Sequence, residues 1–302
     1  MRHLLSLFDL SPDDVKQIFA IATDLKAKLA SGTREDILHG HVLGLLFEKQ
    51  SLRTRVSFET AMAHTGGSSI YLGQDVGWGE RETIADFGRV LSQYIDALVF
   101  RGKKHAQMVE LAEYCDCPVI NGLTEVAHPC QALADLFTFQ ELNGDVAGRT
   151  MAFVGDGNNV CRSLAHACAY LGVGLNVSSP VGYELDVDFL GQLKKVCPDA
   201  KVQQLSDPAE AVTGADAVYT DVWISMGQEA EKAERIKIFS DYQVNAELMS
   251  KANDGAAFLH CLPAHRGNEV TDEVMDCKQS AIVQQAANRM HVQKAVLVWL
   301  SS

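Results

Sequence analysis

The chain has 302 residues, of which 47% are hydrophobic and 22% charged, and carries a formal net charge of -13. This is chain enough for two domains with real cores, in the composition range of soluble globular proteins. The acidic balance argues against nucleic acid or an anionic membrane as partner, and no apolar run approaches the length of a membrane span. Residues 1–8 are too short an apolar run for a secretory signal and lack the Arg-rich, acid-poor composition of a transit peptide, so a cytoplasmic location is expected. The eight cysteines are expected to be reduced. Cys115 and Cys117 form an isolated C-x-C without a second pair, and no metal site is expected.

Ser11-Pro12 is a helix-start signal, followed by Val15, Ile18, Phe19, Ala22 and Leu25 at helical spacing. Residues 42–47 are a continuous apolar run, the signature of a buried parallel strand. Phe58, Ala61, Met62 and Thr65 then recur at i, i+3, i+4 and i+7, so Ser51 sits where strand hands over to helix, as an N-cap. Such a cap is expected to leave the amides of Arg53 and Thr54 aimed out of the helix start. With two hydroxyls and the Arg53 guanidinium they form a cradle for phosphate. The plainer alternative is a capped helix whose arginines pair with Glu48 and Glu59.

A strand at 70–72 follows Gly66-Gly67, then a long polar, Gly-rich loop over 73–83 of the kind that carries function. A helix at 84–94, a strand at 97–100 ending at Arg101, a helix at 106–115 and a strand at 118–120 complete a first block. A long helix at 130–142 leads out of it. The second block opens with a strand at 149–154 and the turn Gly155-Asp156-Gly157-Asn158-Asn159. A helix with Leu164, Ala167, Cys168 and Leu171 on one face follows, then strands at 175–178, 217–220 and 257–260. The last helix, 288–300, presents Val292, Ala295, Val296 and Trp299. The fold class is therefore α/β, two doubly wound parallel-sheet domains joined by a helix. The cradle, Arg101, the Gly-Asp-Gly-Asn-Asn turn, Asp221 and Cys261 all lie at C-terminal strand ends, where such sheets bind ligands.

Three further stretches complement the cradle: His128-Pro129-Cys130-Gln131, Asp221-Val222-Trp223-Ile224-Ser225-Met226-Gly227 and His260-Cys261-Leu262-Pro263-Ala264-His265-Arg266. In this order the chain resembles the aspartate/ornithine carbamoyltransferase family over nearly its whole length, and Ser-Met-Gly with His-Cys-Leu-Pro resembles the ornithine branch. The resemblance implies transfer of the carbamoyl group of carbamoyl phosphate to the δ-amine of L-ornithine, giving citrulline and phosphate, with neither metal nor organic cofactor. It implies a carbamoyl-phosphate-binding domain of residues 1–142, with the helix 286–302 packing back on it, and an ornithine-binding domain of residues 143–285. It also implies a homotrimer, or a multiple of trimers.

Carbamoyl transfer needs a held phosphate, a stabilised carbonyl oxygen and an unprotonated amine. Ser51, Arg53, Thr54 and the backbone of Leu52 suit the first, with Arg289 a second clamp by resemblance. Arg101, His128 and Thr54 suit the second as donors. By resemblance, Gln131 holds the carbamoyl amide, Leu262 joins the carbamoyl phosphate contacts, and Asn159, Asp221, Ser225 and Met226 bind ornithine. Cys261 is expected as a polar partner near the δ-amine and Asp221, where the family's usual description makes it the proton acceptor. Two departures stand out: Leu52 replaces the usual Thr, and Gly77 falls where many relatives carry a phosphate-reaching Gln, leaving Gln74 and Arg81 as the loop's candidate contacts.

A sister transcarbamylase acting on acylated ornithine or putrescine is the alternative within the family. A nicotinamide dehydrogenase is suggested by the strand–glycine–helix unit, but Gly155-Asp156-Gly157-Asn158-Asn159-Val160 lacks the third glycine of G-x-G-x-x-G. A non-catalytic binding protein on the same fold would be expected to have lost Arg101, His128 or Cys261, and all are present.

Overall fold

Apolar runs bounded by glycine and polar turns become the central strands, and amphipathic segments become the helices that cover them. The computed structural model describes residues 1–224 and 229–302. It divides into two compact units, Met1–Ala134 with Ala287–Ser302, and Asp135–Ala286. The division falls inside the helix Pro129–Asn143. Among the described residues, no helix is long and apolar enough to cross a membrane.

The first unit holds a parallel sheet of β1 (Val42–Phe47), β2 (Ser68–Leu72), β3 (Ala97–Arg101) and β4 (Val119–Leu123), ordered β2-β1-β3-β4. In β1, the adjacent Leu45 and Leu46 point to opposite faces and both are buried, as a strand covered on both faces requires. Gly44 leaves room for the Ile95 side chain, whose Cδ1 would stand 2.7 Å from a Cβ there and would have to move. Beyond β4, Leu4 forms a parallel bridge with Ile120, adding the N-terminus to the sheet. Helix Pro12–Ala30 starts on a capping box of Ser11 and Asp14 and buries the five apolar residues expected from the periodicity. Residues Val292, Ala295, Val296 and Trp299 of the final helix are buried in this unit. That helix begins at Ile282, earlier than the pattern suggests. Its first turn is marked by Gln285, whose side chain accepts from the His260 amide at 2.9 Å, so a hydrogen bond rather than an apolar stripe defines it.

The second unit holds β5 (Thr150–Val154), β6 (Gly174–Ser178), β7 (Val202–Leu205), β8 (Ala217–Thr220) and β9 (Ala257–His260), all parallel, ordered β7-β6-β5-β8-β9. Strand β7 has no counterpart among the sequence expectations. It is a short edge strand with Gln203 and Gln204 exposed, so it lacks the apolar run that marks the others. Ala152, Val154, Val218 and Phe258 anchor the core.

The helix Asn159–Tyr170 carries a buried histidine, His166, beside the Tyr170 ring at 4.5 Å between centroids. Burial lowers its pKa from 6.5 to about 4. The native state therefore refuses a proton that the unfolded chain accepts, and stability is full above pH 6.5 and is lost as pH falls toward 4. The wild type should lose about 3 kcal/mol more than His166→Gln between about pH 7 and about pH 4. Urea unfolding curves across that range check the difference in slope, and equal slopes would exclude the histidine as the cause.

Candidate active site

In the first unit, β1 runs into the helix Leu52–His64, with Ser51 as its N-cap. The Ser51 hydroxyl accepts from the Thr54 amide at 3.4 Å and donates to Thr54 Oγ1 at 3.2 Å. The Thr54 amide is thus closed by the cap, where the sequence suggested one aimed outward. Thr54 itself is buried, and its hydroxyl is the hub of the site. Arg101 Nη1, from the end of β3, donates to Thr54 Oγ1 at 3.0 Å, and Arg289 Nη2, from the final helix, donates to it at 3.2 Å. The buried Arg289 also donates through Nη1 to Gln131 Oε1. Two guanidinium groups meeting at one neutral oxygen concentrate positive charge, and a bound anion relieves the repulsion. His128 is buried, and its pKa lies well below the ordinary histidine value because of burial, then the charges of Arg289 and Arg101. The imidazole is therefore neutral, able to offer one N–H without adding a third charge.

Arg53 is half-buried and its side chain makes no hydrogen bond to any described residue, whereas Leu52 turns a largely exposed side chain outward. Arg55 pairs with Glu59 at 2.9 Å and lies over the Tyr71 ring, as an ordinary surface arginine does. Glu48 pairs with neither arginine. Its carboxylate accepts from Trp78 Nε1 at 3.0 Å and from the Lys103 amide at 2.7 Å, and its carbonyl accepts from Gln74 Nε2 at 3.0 Å. Trp78 packs edge-on against Phe87 and Phe100. Glu48 and Trp78 thus fasten the 73–83 loop beside the cradle. Gly77 adopts φ +70°, and a Cβ there would meet the Arg81 side chain at 2.7 Å, so no side chain fits while Arg81 folds over it.

In the second unit the same rule of strand ends applies. Asp221 follows β8 and is only 6% exposed, accepting from Asn158 Nδ2 at 2.9 Å and from Cys261 Sγ at 2.9 Å. Among the described residues no cation pairs with this carboxylate. Asn158 is also the N-cap of the helix Asn159–Tyr170, accepting from the amides of Val160 and Cys161. Asn159, the residue singled out in the sequence, is the first of the helix and directs its Oδ1 to the Val160 amide at 3.0 Å. Asp156, in the same turn, is paired with the buried Arg235, whose Nε donates to the Trp223 carbonyl. Burial outweighs that guanidinium and raises the Asp156 pKa to about 6. Neither Asn158 nor Arg235 stood out in the sequence, although an Asn before a helix is a capping signal. Ser225 and Met226 lie outside the described residues.

Asp221, His260 and Cys261 each bring a ligand-type atom within 4.8 Å of the others. Both ring nitrogens of His260 are already engaged, Nδ1 by the Leu262 amide at 2.9 Å and Nε2 by Glu269 Oε1 at 3.3 Å. Within the trio Cys261 is hydrogen-bonded to Asp221, while the imidazole is turned to partners outside it. All eight cysteines are unbridged.

Residues 2–141 match the model of the carbamoyl-P binding domain of aspartate/ornithine carbamoyltransferase, and residues 147–300 match its Asp/Orn binding domain. Ornithine carbamoyltransferase of Carboxydothermus hydrogenoformans is 47% identical, with 99% of this chain and 97% of the relative covered. That of Bacillus subtilis is 49% identical, with 98% and 92% covered. The structure of ornithine carbamoyltransferase from Pyrococcus furiosus superposes with a TM-score of 0.95 at 47% identity, covering 98% of this chain and 96% of that one. The anabolic ornithine carbamoyltransferase of Campylobacter jejuni gives a TM-score of 0.94 at 36% identity, covering 100% and 99%.

Proposed function

The chain belongs to the aspartate/ornithine carbamoyltransferase family, and we propose that within it this enzyme carbamoylates the δ-amine of L-ornithine, giving L-citrulline and phosphate. The observation that carries the reading is the convergence of Arg101 and Arg289 on Thr54 Oγ1 at a helix start, a built site for a phosphorylated anion. Ser51, Thr54, Arg53, the Leu52 backbone and Arg289 hold the phosphate as it becomes the leaving group. Arg101, neutral His128 and the Thr54 hydroxyl donate to the carbonyl oxygen as charge develops on it, and Gln131 takes the carbamoyl amide. In the other unit Asp221 receives the α-ammonium, with Asn159, Ser225 and Met226 as further ornithine contacts. Cys261, hydrogen-bonded to Asp221, is the polar neighbour of the δ-amine, and Leu262 lends its backbone to the carbamoyl group. The amine nitrogen bonds to the carbonyl carbon, the carbon–oxygen bond to phosphate breaks, and the proton the amine loses ends on the departing phosphate.

Citrulline formation from carbamoyl phosphate, assayed with ornithine, N-acetylornithine and putrescine in parallel, tests the assignment. Ornithine alone should give strong colour. No product with ornithine would reject it, and product with one of the others instead would favour a sister transcarbamylase.

The Arg53 side chain makes no hydrogen bond to the described residues, and its assigned role is a charge-assisted bond to the phosphate. Arg53→Met should lower kcat/KM for carbamoyl phosphate by roughly ten- to a hundredfold, the worth of one such bond. Steady-state kinetics on a folded variant decide it, and near-normal values would remove Arg53 from the site. The family pattern also supports a homotrimer, or a multiple of trimers, in the cytoplasm, and the mass in solution tests that assembly.

A further inference from the structure

We propose that Glu269 is a positioning residue for Cys261 and Leu262, acting through the tautomer of His260. The inference rests on the carbamoyltransferase reading for its consequence in turnover, but its geometry stands by itself. His260 is the last residue of β9 and is 1% exposed, and Glu269 is fully buried. The Leu262 amide donates to His260 Nδ1 at 2.9 Å, so that nitrogen carries no hydrogen. The ring proton therefore resides on Nε2, which faces Glu269 Oε1 at 3.3 Å. The same oxygen accepts from the His265 amide at 2.5 Å.

One carboxylate oxygen thus fixes the chain on both sides of Cys261-Leu262-Pro263-Ala264. It does so directly at His265, and through the imidazole at Leu262. The backbone needs such holding, because Leu262 has φ 58°, a left-handed conformation that a leucine does not adopt by preference. The main chain of His260 is fixed separately. Its amide donates to Gln285 Oε1 at 2.9 Å, and Gln285 Nε2 donates to Asp135 Oδ1 at 2.6 Å. Between these anchors Cys261 places Sγ 2.9 Å from Asp221 Oδ1. If His260 flipped or changed tautomer, the Leu262 amide would lose its acceptor, and the turn carrying Cys261 would be free to relax.

Both hydrogen bonds fall on Oε1, and Oε2 has no partner among the described residues. Length and an acceptor oxygen are therefore required of Glu269, and charge is not. Glu269→Gln retains both and should keep kcat within about threefold of wild type. Glu269→Asp keeps the charge but falls one methylene short. It should lower kcat by roughly ten- to a hundredfold while leaving KM for carbamoyl phosphate within about threefold. It should also change the rate at which iodoacetamide alkylates Cys261 in substrate-free protein, followed on the isolated peptide, by about fivefold or more.

Nitrogen-15 shifts of His260 in the wild type should report the Nε2–H tautomer, which tests the idea without any substitution. An Nδ1–H tautomer would overturn it. So would a glutamine variant as impaired as the aspartate variant, or an aspartate variant with normal turnover and normal alkylation. Should the wild type make no citrulline, the functional assignment fails, while the tautomer and the alkylation rates still decide the role of Glu269.

Discussion

N-acetylornithine is expected to be carbamoylated about a thousandfold less efficiently than ornithine, or worse, a difference in kcat/KM of about 4 kcal/mol. The reason is the state of Asp221. It is buried, it accepts from the neutral groups Asn158 Nδ2 and Cys261 Sγ, and no cation among the described residues balances its charge. In the proposed reading the α-ammonium of ornithine supplies that cation. Acetylation removes the charge, adds bulk, and leaves the buried carboxylate with its two neutral donors and no cation. Putrescine lacks both α-groups and should be poorer still. Asp221→Asn should cost ornithine turnover a similar factor and leave KM for carbamoyl phosphate nearly unchanged, because the residues proposed for the phosphate lie in the unit of Thr54, Arg101 and Arg289. Parallel kinetics with the three amines check this, and comparable kcat/KM for ornithine and acetylornithine would sink the assignment.

Arg101→Met should lower kcat by about a hundred- to a thousandfold, the usual consequence of removing one donor aimed at a developing oxyanion. Arg101 ends β3 and is only partly buried, so the sheet should fold without its guanidinium. Thr54 Oγ1 would retain its bond from Arg289 at 3.2 Å. His128 would stay neutral, because burial is the larger cause of its lowered pKa and the Arg101 charge the smaller. The variant therefore isolates the loss of the one cation proposed to face the carbonyl oxygen. Steady-state turnover at saturating ornithine reads the effect, and a folded variant with less than a tenfold loss would move Arg101 out of the reaction.

The parts of the fold that were legible in the chain are those written in local chemistry. Continuous apolar runs marked β1, β5, β8 and β9, and Ser11 and Ser51 announced their helices as caps. Strand β7 escaped because an edge strand with two exposed glutamines carries no such run. The start of the last helix escaped because Gln285 is held by a hydrogen bond to β9 and not by packing periodicity. Candidate site residues at strand ends could be found by rule. Their partners could not, since they come from distant parts of the chain: Trp78 reaches Glu48, Arg235 reaches Trp223 and Asp156, and Glu269 reaches His260. Asn158 and Asn159 are identical in type, and only the backbone shows that the first caps the helix and faces Asp221.

The double duty of Asn158 narrows the mutational drift open to that position. By capping preference alone, Asp or Ser would replace it at little loss. Asp would set a second carboxylate against Asp221, and Ser would offer its single hydroxyl to only one of the two tasks. Only a side chain with an acceptor on one atom and a donor on the next can serve the helix amides through Oδ1 and the carboxylate through Nδ2 together. Substitution tolerance at residue 158 is therefore set by the chemistry of its neighbour at residue 221, so a descendant lineage that loses Asp221 would be released to vary at both.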